Sequence, residues 1–83
     1  MKITVRYFAS IREAIGQGSE AVETAATTLG ALRDELIARG GAHASSLARG
    51  RAVRMALNQT LSHESATLAD GAEVAFFPPV TGG

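Results

Sequence analysis

Asp70-Gly71-Ala72-Glu73-Val74-Ala75-Phe76-Phe77-Pro78-Pro79-Val80-Thr81-Gly82-Gly83 is the stretch on which the fold turns. Asp70-Gly71 is a strong turn signal. Glu73 to Phe77 follows as the last strand, and Pro78-Pro79 ends it, because proline has no N–H to give a sheet ladder. Side chains alternate across a strand, so Val74 and Phe76 share one face and Ala75 and Phe77 the other. With Val74 and Phe76 turned to a core, Phe77 is left near solvent beside the chain terminus. That is where an aromatic on a partner surface would stand; the alternative is that Phe77 folds under its own loops. Residues 78–83 have nothing to pack with and read as a mobile tail. The chain thus divides into a domain over 1–77 and a C-terminal arm over 78–83.

Upstream, the same period of two recurs. Lys2 to Phe8 alternates, with Ile3, Val5 and Tyr7 on one face and Lys2, Thr4 and Arg6 on the other, as in a half-buried strand. Ser10 to Ile15 has a short helical pattern, broken by Gly16-Gln17-Gly18. Glu20 to Thr24 reads as a weak second strand whose apolar positions are Ala21 and Val22. Thr27 or Thr28 caps the next helix. Leu29, Leu32, Leu36 and Ile37 form an apolar stripe at 3.6-residue spacing, with Arg33, Asp34 and Arg39 facing away. Gly40-Gly41 supplies the stop. Gly30 is a misfit in this helix, costing roughly 1 kcal/mol relative to Ala. Ala42 to Ala48 reads as a second short helix or as loop. Val53 to Leu57 alternates again, Asn58-Gln59 reads as a turn, and Thr60-Leu61 starts a short return strand. The main order is strand, strand, helix, strand, strand: an α+β fold in which one main helix covers one face of one small mixed sheet.

The 83 residues make one domain with a modest core. Apolar residues are 46% and charged residues 19%, the balance of a soluble globular protein rather than a disordered one. The formal net charge of zero gives no basic excess for non-specific nucleic-acid binding. No apolar run reaches the length of a membrane span, and Met1-Lys2-Ile3-Thr4-Val5-Arg6 has no signal-peptide pattern, so the cytoplasm is expected. There is no cysteine, which removes disulfides, thiolate metal sites and a thiol nucleophile together. Any sulfur this chain handles cannot ride on a cysteine of its own.

The terminus is itself a chemical group. Gly82-Gly83 lacks any Cβ and can enter a channel too narrow for other residues. Residues 78–83 reach about 20 Å when extended, at roughly 3.3 Å each, and the two prolines stiffen the base of that arm. The α-carboxylate of Gly83 ionises near about 3.5. As an anion it is a poor electrophile and must be activated before it can accept a nucleophile; an acyl-adenylate made with ATP is the natural route. Composition by itself leaves open that two glycines merely end a tail.

The Phe-Pro-Pro-Val-Thr-Gly-Gly ending, with Asn58-Gln59-Thr60-Leu61, Leu29-Gly30-Ala31-Leu32-Arg33, Tyr7-Phe8-Ala9 and Arg12-Glu13 upstream, resembles the molybdopterin synthase small-subunit family. The resemblance is collinear over essentially the whole chain. It implies the ubiquitin-like β-grasp fold. It further implies that an E1-like enzyme uses ATP to adenylate Gly83, that sulfur drawn from a donor such as a cysteine desulfurase gives a C-terminal thiocarboxylate, and that the arm enters the synthase large subunit. There it donates sulfur to cyclic pyranopterin monophosphate, within the two-plus-two heterotetramer the family suggests. On this carry-over Gly83 bears the sulfur, Gly82 accompanies it in the channel with Val80, Thr81, Pro78 and Pro79 behind, and Phe77 and Leu61 lie on the surface meeting both protein partners. The chain would be a non-catalytic subunit with no bound cofactor. Gly30 and the Ala-, Ser- and Arg-rich stretch from Gly40 to Arg54 depart from the family pattern.

Other signals lead elsewhere. Gly16-Gln17-Gly18-Ser19-Glu20-Ala21 formally matches a dinucleotide-binding pattern but follows a helix and opens a strand, the reverse of what that motif needs. Asn58-Gln59-Thr60 matches a glycosylation sequon and is better explained as a turn. His43 and His63 have no ligand cluster around them, so no metal site is expected. Arg49, Arg51 and Arg54 read as a solvated basic group or, less simply, as a contact for acidic residues of a partner. Glu13, Glu20 and Glu23 show no paired-carboxylate geometry. The thiamine-pathway carrier, a ubiquitin-like modifier attached to lysines, and a β-grasp module with an inert tail remain alternatives. The single lysine, Lys2, argues against chains built through internal lysines.

Overall fold

The computed structural model describes residues 1–79. Its elements are β1 (Lys2–Tyr7), α1 (Ala9–Ile15), β2 (Ser19–Glu23), α2 (Leu29–Ile37), α3 (Gly41–Leu47), β3 (Arg54–Leu57), β4 (Thr60–Leu61) and β5 (Glu73–Phe77). The strands form one mixed sheet in the order β2-β1-β5-β3-β4. β1 and β5 run parallel, with Val5 opposite Val74 and Tyr7 opposite Phe76; the other pairs are antiparallel. The first and last strands are therefore neighbours at the centre, and β5 is hydrogen-bonded on both sides.

The period-two patterns sort the core. Ile3, Val5, Tyr7, Val22, Met55, Val74 and Phe76 face inward, where Leu29, Leu32 and Leu36 of α2, Leu47 of α3 and Ile11 of α1 close over them. Thr28 caps α2, its Oγ1 accepting from the Ala31 N–H at 3.2 Å. The two preceding N–H groups of that helix go to the chain between β4 and β5: Leu29 N–H to Ala66 O at 3.1 Å and Gly30 N–H to Glu64 O at 2.9 Å. That close approach explains Gly30, since a Cβ there would sit 3.1 Å from Glu64 Cβ and Oε1. Asn58 and Gln59 both take positive φ, 49° and 68°, as a tight two-residue hairpin requires. Asn58 Oδ1 also accepts from the Glu73 N–H at 2.9 Å, tying the hairpin to β5.

Some sequence expectations shift. The short helix begins at Ala9 rather than Ser10, β2 one residue earlier than Glu20, and the 42–48 stretch is helical as α3. β3 begins at Arg54, leaving Val53 outside the strand. The largest correction is Arg33, expected to face away from the core but only 4% exposed. Its Nε donates to Leu47 O at 2.7 Å and its Nη2 to Ala48 O at 2.8 Å and Arg51 O at 3.3 Å. The end of α3 and the loop after it fold back over α2 and bring carbonyls that need donors; a guanidinium supplies several at once. Burial, together with the nearby Arg49 charge, lowers the Arg33 pKa, which Asp34 partly opposes. The basic group at 49–54 also divides. Arg49 is bound within its own chain to Asp34 and Glu64, while Arg51 and Arg54 are exposed.

Candidate functional site

With three helices on one side, the other side of the sheet is left open, and strand parity decides what it displays. β5 presents Glu73, Ala75 and Phe77 there, opposite Thr4 and Arg6 of β1 and Arg54 and Ala56 of β3. Leu61 of β4 lies opposite Ala56 and is 62% exposed. Phe8, one residue beyond β1 on the same parity, is 38% exposed. Of these, Glu73, Ala75, Phe77, Arg6, Ala56, Leu61 and Phe8, together with Pro78 and Pro79, line a broad groove of about 780 Å³, while Arg54 borders an adjoining depression that shares Leu61 with it. Phe77 is half-buried along it, whereas Phe76, its neighbour, is fully buried.

The structure thus brings Phe77, Leu61, Pro78 and Pro79 to one surface. Val80, Thr81, Gly82 and Gly83 lie outside the described residues. The groove also contains Phe8, Arg6, Ala56, Ala75 and Gln59, none of which was named as a partner-binding residue from sequence. Parity was the available signal for Phe8 and Arg6: both fall on the face opposite Ile3, Val5 and Tyr7. Arg6 lies over the Phe8 ring, its Cζ 5.2 Å from the centroid, and its Nη1 is 3.8 Å from Glu73 Oε1. These two are the titratable groups among the described lining residues, and they face each other as a loose ion pair. The lining can hold a protein surface; it offers no nucleophile with an adjacent base.

A second polar cluster lies on the covered side. Glu20 of β2 accepts from Tyr7 Oη at 2.7 Å and from Arg39 Nη1 at 2.7 Å, and His43 Nε2 lies 3.0 Å from its Oε2. Burial alone would raise the Glu20 pKa, but hydrogen bonds from His43, Arg39 and Tyr7 lower it to about 2. Burial and the Glu20 carboxylate push the Tyr7 hydroxyl well above its usual range. Tyr7 also stacks with Phe76 and meets the His43 ring edge-on. The cluster fastens the α2–α3 corner to the sheet, and among the described residues no buried side-chain nitrogen or oxygen lacks a partner.

A ubiquitin-like β-grasp domain whose central last strand carries an apolar open face toward a Gly-Gly terminus is the class that this fold and groove define. The chain belongs to the ThiS family, whose model matches residues 5–83. It is 43% identical over 81 residues to the molybdopterin synthase sulfur carrier subunit of Escherichia coli, covering 98% of this chain and 99% of that protein. Among solved structures it superimposes on SAMP1 from Haloferax volcanii with a TM-score of 0.79 at 25% identity, over 100% of both chains. It also matches a chain of the complex of subunits 1 and 2 of molybdopterin-converting factor from Helicobacter pylori, with a TM-score of 0.67 at 27% identity over 100% of both chains. The resemblance read from the sequence and the fold it implied both hold.

Proposed function

We propose that this chain is the sulfur carrier of a molybdopterin synthase, acting through its own C-terminus. The carrying observation is the 43% identity, over nearly the full length, to a protein of that name. The open face gives the reading a physical basis. β5 exposes Phe77 beside Leu61, then leads through Pro78 and Pro79 toward Gly82-Gly83, so that a protein docked on the groove lies next to the arm.

In this role an E1-like enzyme adenylates the Gly83 carboxylate with ATP, releasing pyrophosphate. The outer sulfur of a persulfide, as a cysteine desulfurase forms it, then displaces AMP to give an acyl disulfide, and a thiol reductant cleaves the S–S bond to leave the thiocarboxylate. The arm next enters the large subunit, where the thiocarboxylate sulfur bonds to cyclic pyranopterin monophosphate and water hydrolyses the resulting thioester, leaving the sulfur on the pterin and a carboxylate on Gly83. The chain contributes the carried group and the docking surface in the cytoplasm and binds no cofactor of its own; two carriers with two large subunits make the working assembly.

The test is the intact mass of the protein from its own cells, before any reduction or alkylation. Replacing one carboxyl oxygen by sulfur adds about 16 Da, and with no cysteine in the chain the gain cannot be a persulfide. Oxidation of Met1 or Met55 adds nearly the same mass, so the gain is sought in the C-terminal peptide, which has no methionine. Its absence there, in cells actively making molybdenum cofactor, would sink the proposal.

A further inference from the structure

The open face is electrically uneven, although the whole chain has a formal net charge of zero. At the end away from the arm, Lys2 lies opposite Glu23, and Glu23 is 3.6 Å from the N-terminal amine. At the arm end stand two guanidiniums. Arg54 is directly opposite Phe77 in the β3–β5 ladder, and Arg6 is opposite Ala75 in the β1–β5 ladder. They flank β5 diagonally, on the order of 12 Å apart from strand spacing and rise. Arg54 is exposed and, among the described residues, has no carboxylate within 4.0 Å. Arg6 shares Glu73 at the long distance of 3.8 Å and is steadied by the Phe8 ring.

We infer that Arg6 and Arg54 form a basic edge that selects, among protein surfaces able to cover Phe77, those presenting carboxylates opposite the two guanidiniums. The inference rests on the reading of this groove as a docking face. The cause is desolvation. Arg54 is the cross-strand neighbour of Phe77 and borders the depression that adjoins the groove at Leu61, so a partner broad enough to cover both Phe77 and Leu61 also removes water from the guanidinium. A charge desolvated without an acceptor opposes binding, and one that meets a carboxylate favours it. Charges at the rim of an interface also steer encounter, so they act on association rate and salt dependence.

The experiment is stopped-flow association of the full chain with the molybdopterin synthase large subunit from the same organism, between about 50 and 300 mM salt. Arg54→Gln and Arg6→Gln are each expected to slow association about threefold, and Arg54→Glu about tenfold or more, with a flatter salt dependence. Arg54→Lys should keep the wild-type salt slope. Thermal midpoints, measured alongside, should match wild type for the Gln and Lys variants. Wild-type rates and salt slope in both Gln variants, with binding still weakened by Phe77→Ala, would overturn the inference and leave the docking reading standing. If the unaltered chain does not associate with the large subunit, the docking reading itself falls, and the inference with it.

Discussion

Phe76 and Phe77 are the same residue at consecutive positions of one strand, and the fold uses them in opposite ways. Phe76 is fully buried, stacked on Tyr7 beneath the helices; Phe77 is half-buried on the other side, lining a groove that leads toward the terminus. Helices cover only one side of the sheet, so parity alone separates a side chain spent on the core from one left along the open groove. The covered face tolerates no vacancy, whereas the open face keeps apolar area in reserve.

The sharpest way to break this division is at the arm. Deleting Gly83 should abolish sulfur transfer in a reconstituted synthase assay while leaving the thermal midpoint and large-subunit binding near wild type. A deletion that lost binding as well would make the terminus part of the docking surface rather than only its cargo. Next in size is the aromatic pair itself. Phe76→Ala should cost about 3–5 kcal/mol in urea unfolding. Phe77→Ala should cost under about 1 kcal/mol there, yet weaken large-subunit binding by roughly tenfold or more. Equal stability losses would erase the distinction between the faces. Arg33→Ala strips donors from the carbonyls of Leu47, Ala48 and Arg51 and should cost about 2–3 kcal/mol by the same measurement, without touching the groove.

The smallest effect concerns pH. The folded Glu20 pKa, about 2, lies below its ordinary value of 4.5. Its contribution to stability is therefore complete above that ordinary value and lost as pH falls from there toward 2. Urea midpoints followed down this range should decline for the native chain and decline less for Glu20→Gln. Identical acid limbs would remove Glu20 from the account of the covered face.

Most of the architecture could be read from pattern. The strands at 2–7 and 73–77 and the stripe Leu29, Leu32, Leu36 are strongly periodic, and Asp70-Gly71, Asn58-Gln59 and Gly40-Gly41 mark their turns. Arg33 could not be read this way, because its donors serve carbonyls 14 to 18 residues further along, and local polarity points it outward. Gly30 looks like an error in a helix until the 64–66 backbone is seen lying against it. Glu20 gathers Tyr7 from β1, Arg39 from the turn after α2 and His43 from α3, a meeting that no spacing announces. In the groove, the outward parity of Phe77 was legible from alternation, and Leu61 was named by the resemblance alone. Phe8 and Arg6 shared that parity but became part of the site only when β1 was placed beside β5.

The central position of β5 also has a mechanical meaning. A strand at the sheet margin can be peeled away one hydrogen bond at a time when its end is pulled. β5 is gripped by β1 on one side and β3 on the other, and its ladder bonds lie across the direction in which the arm leaves. Tension applied at the end of β5 therefore loads both ladders at once.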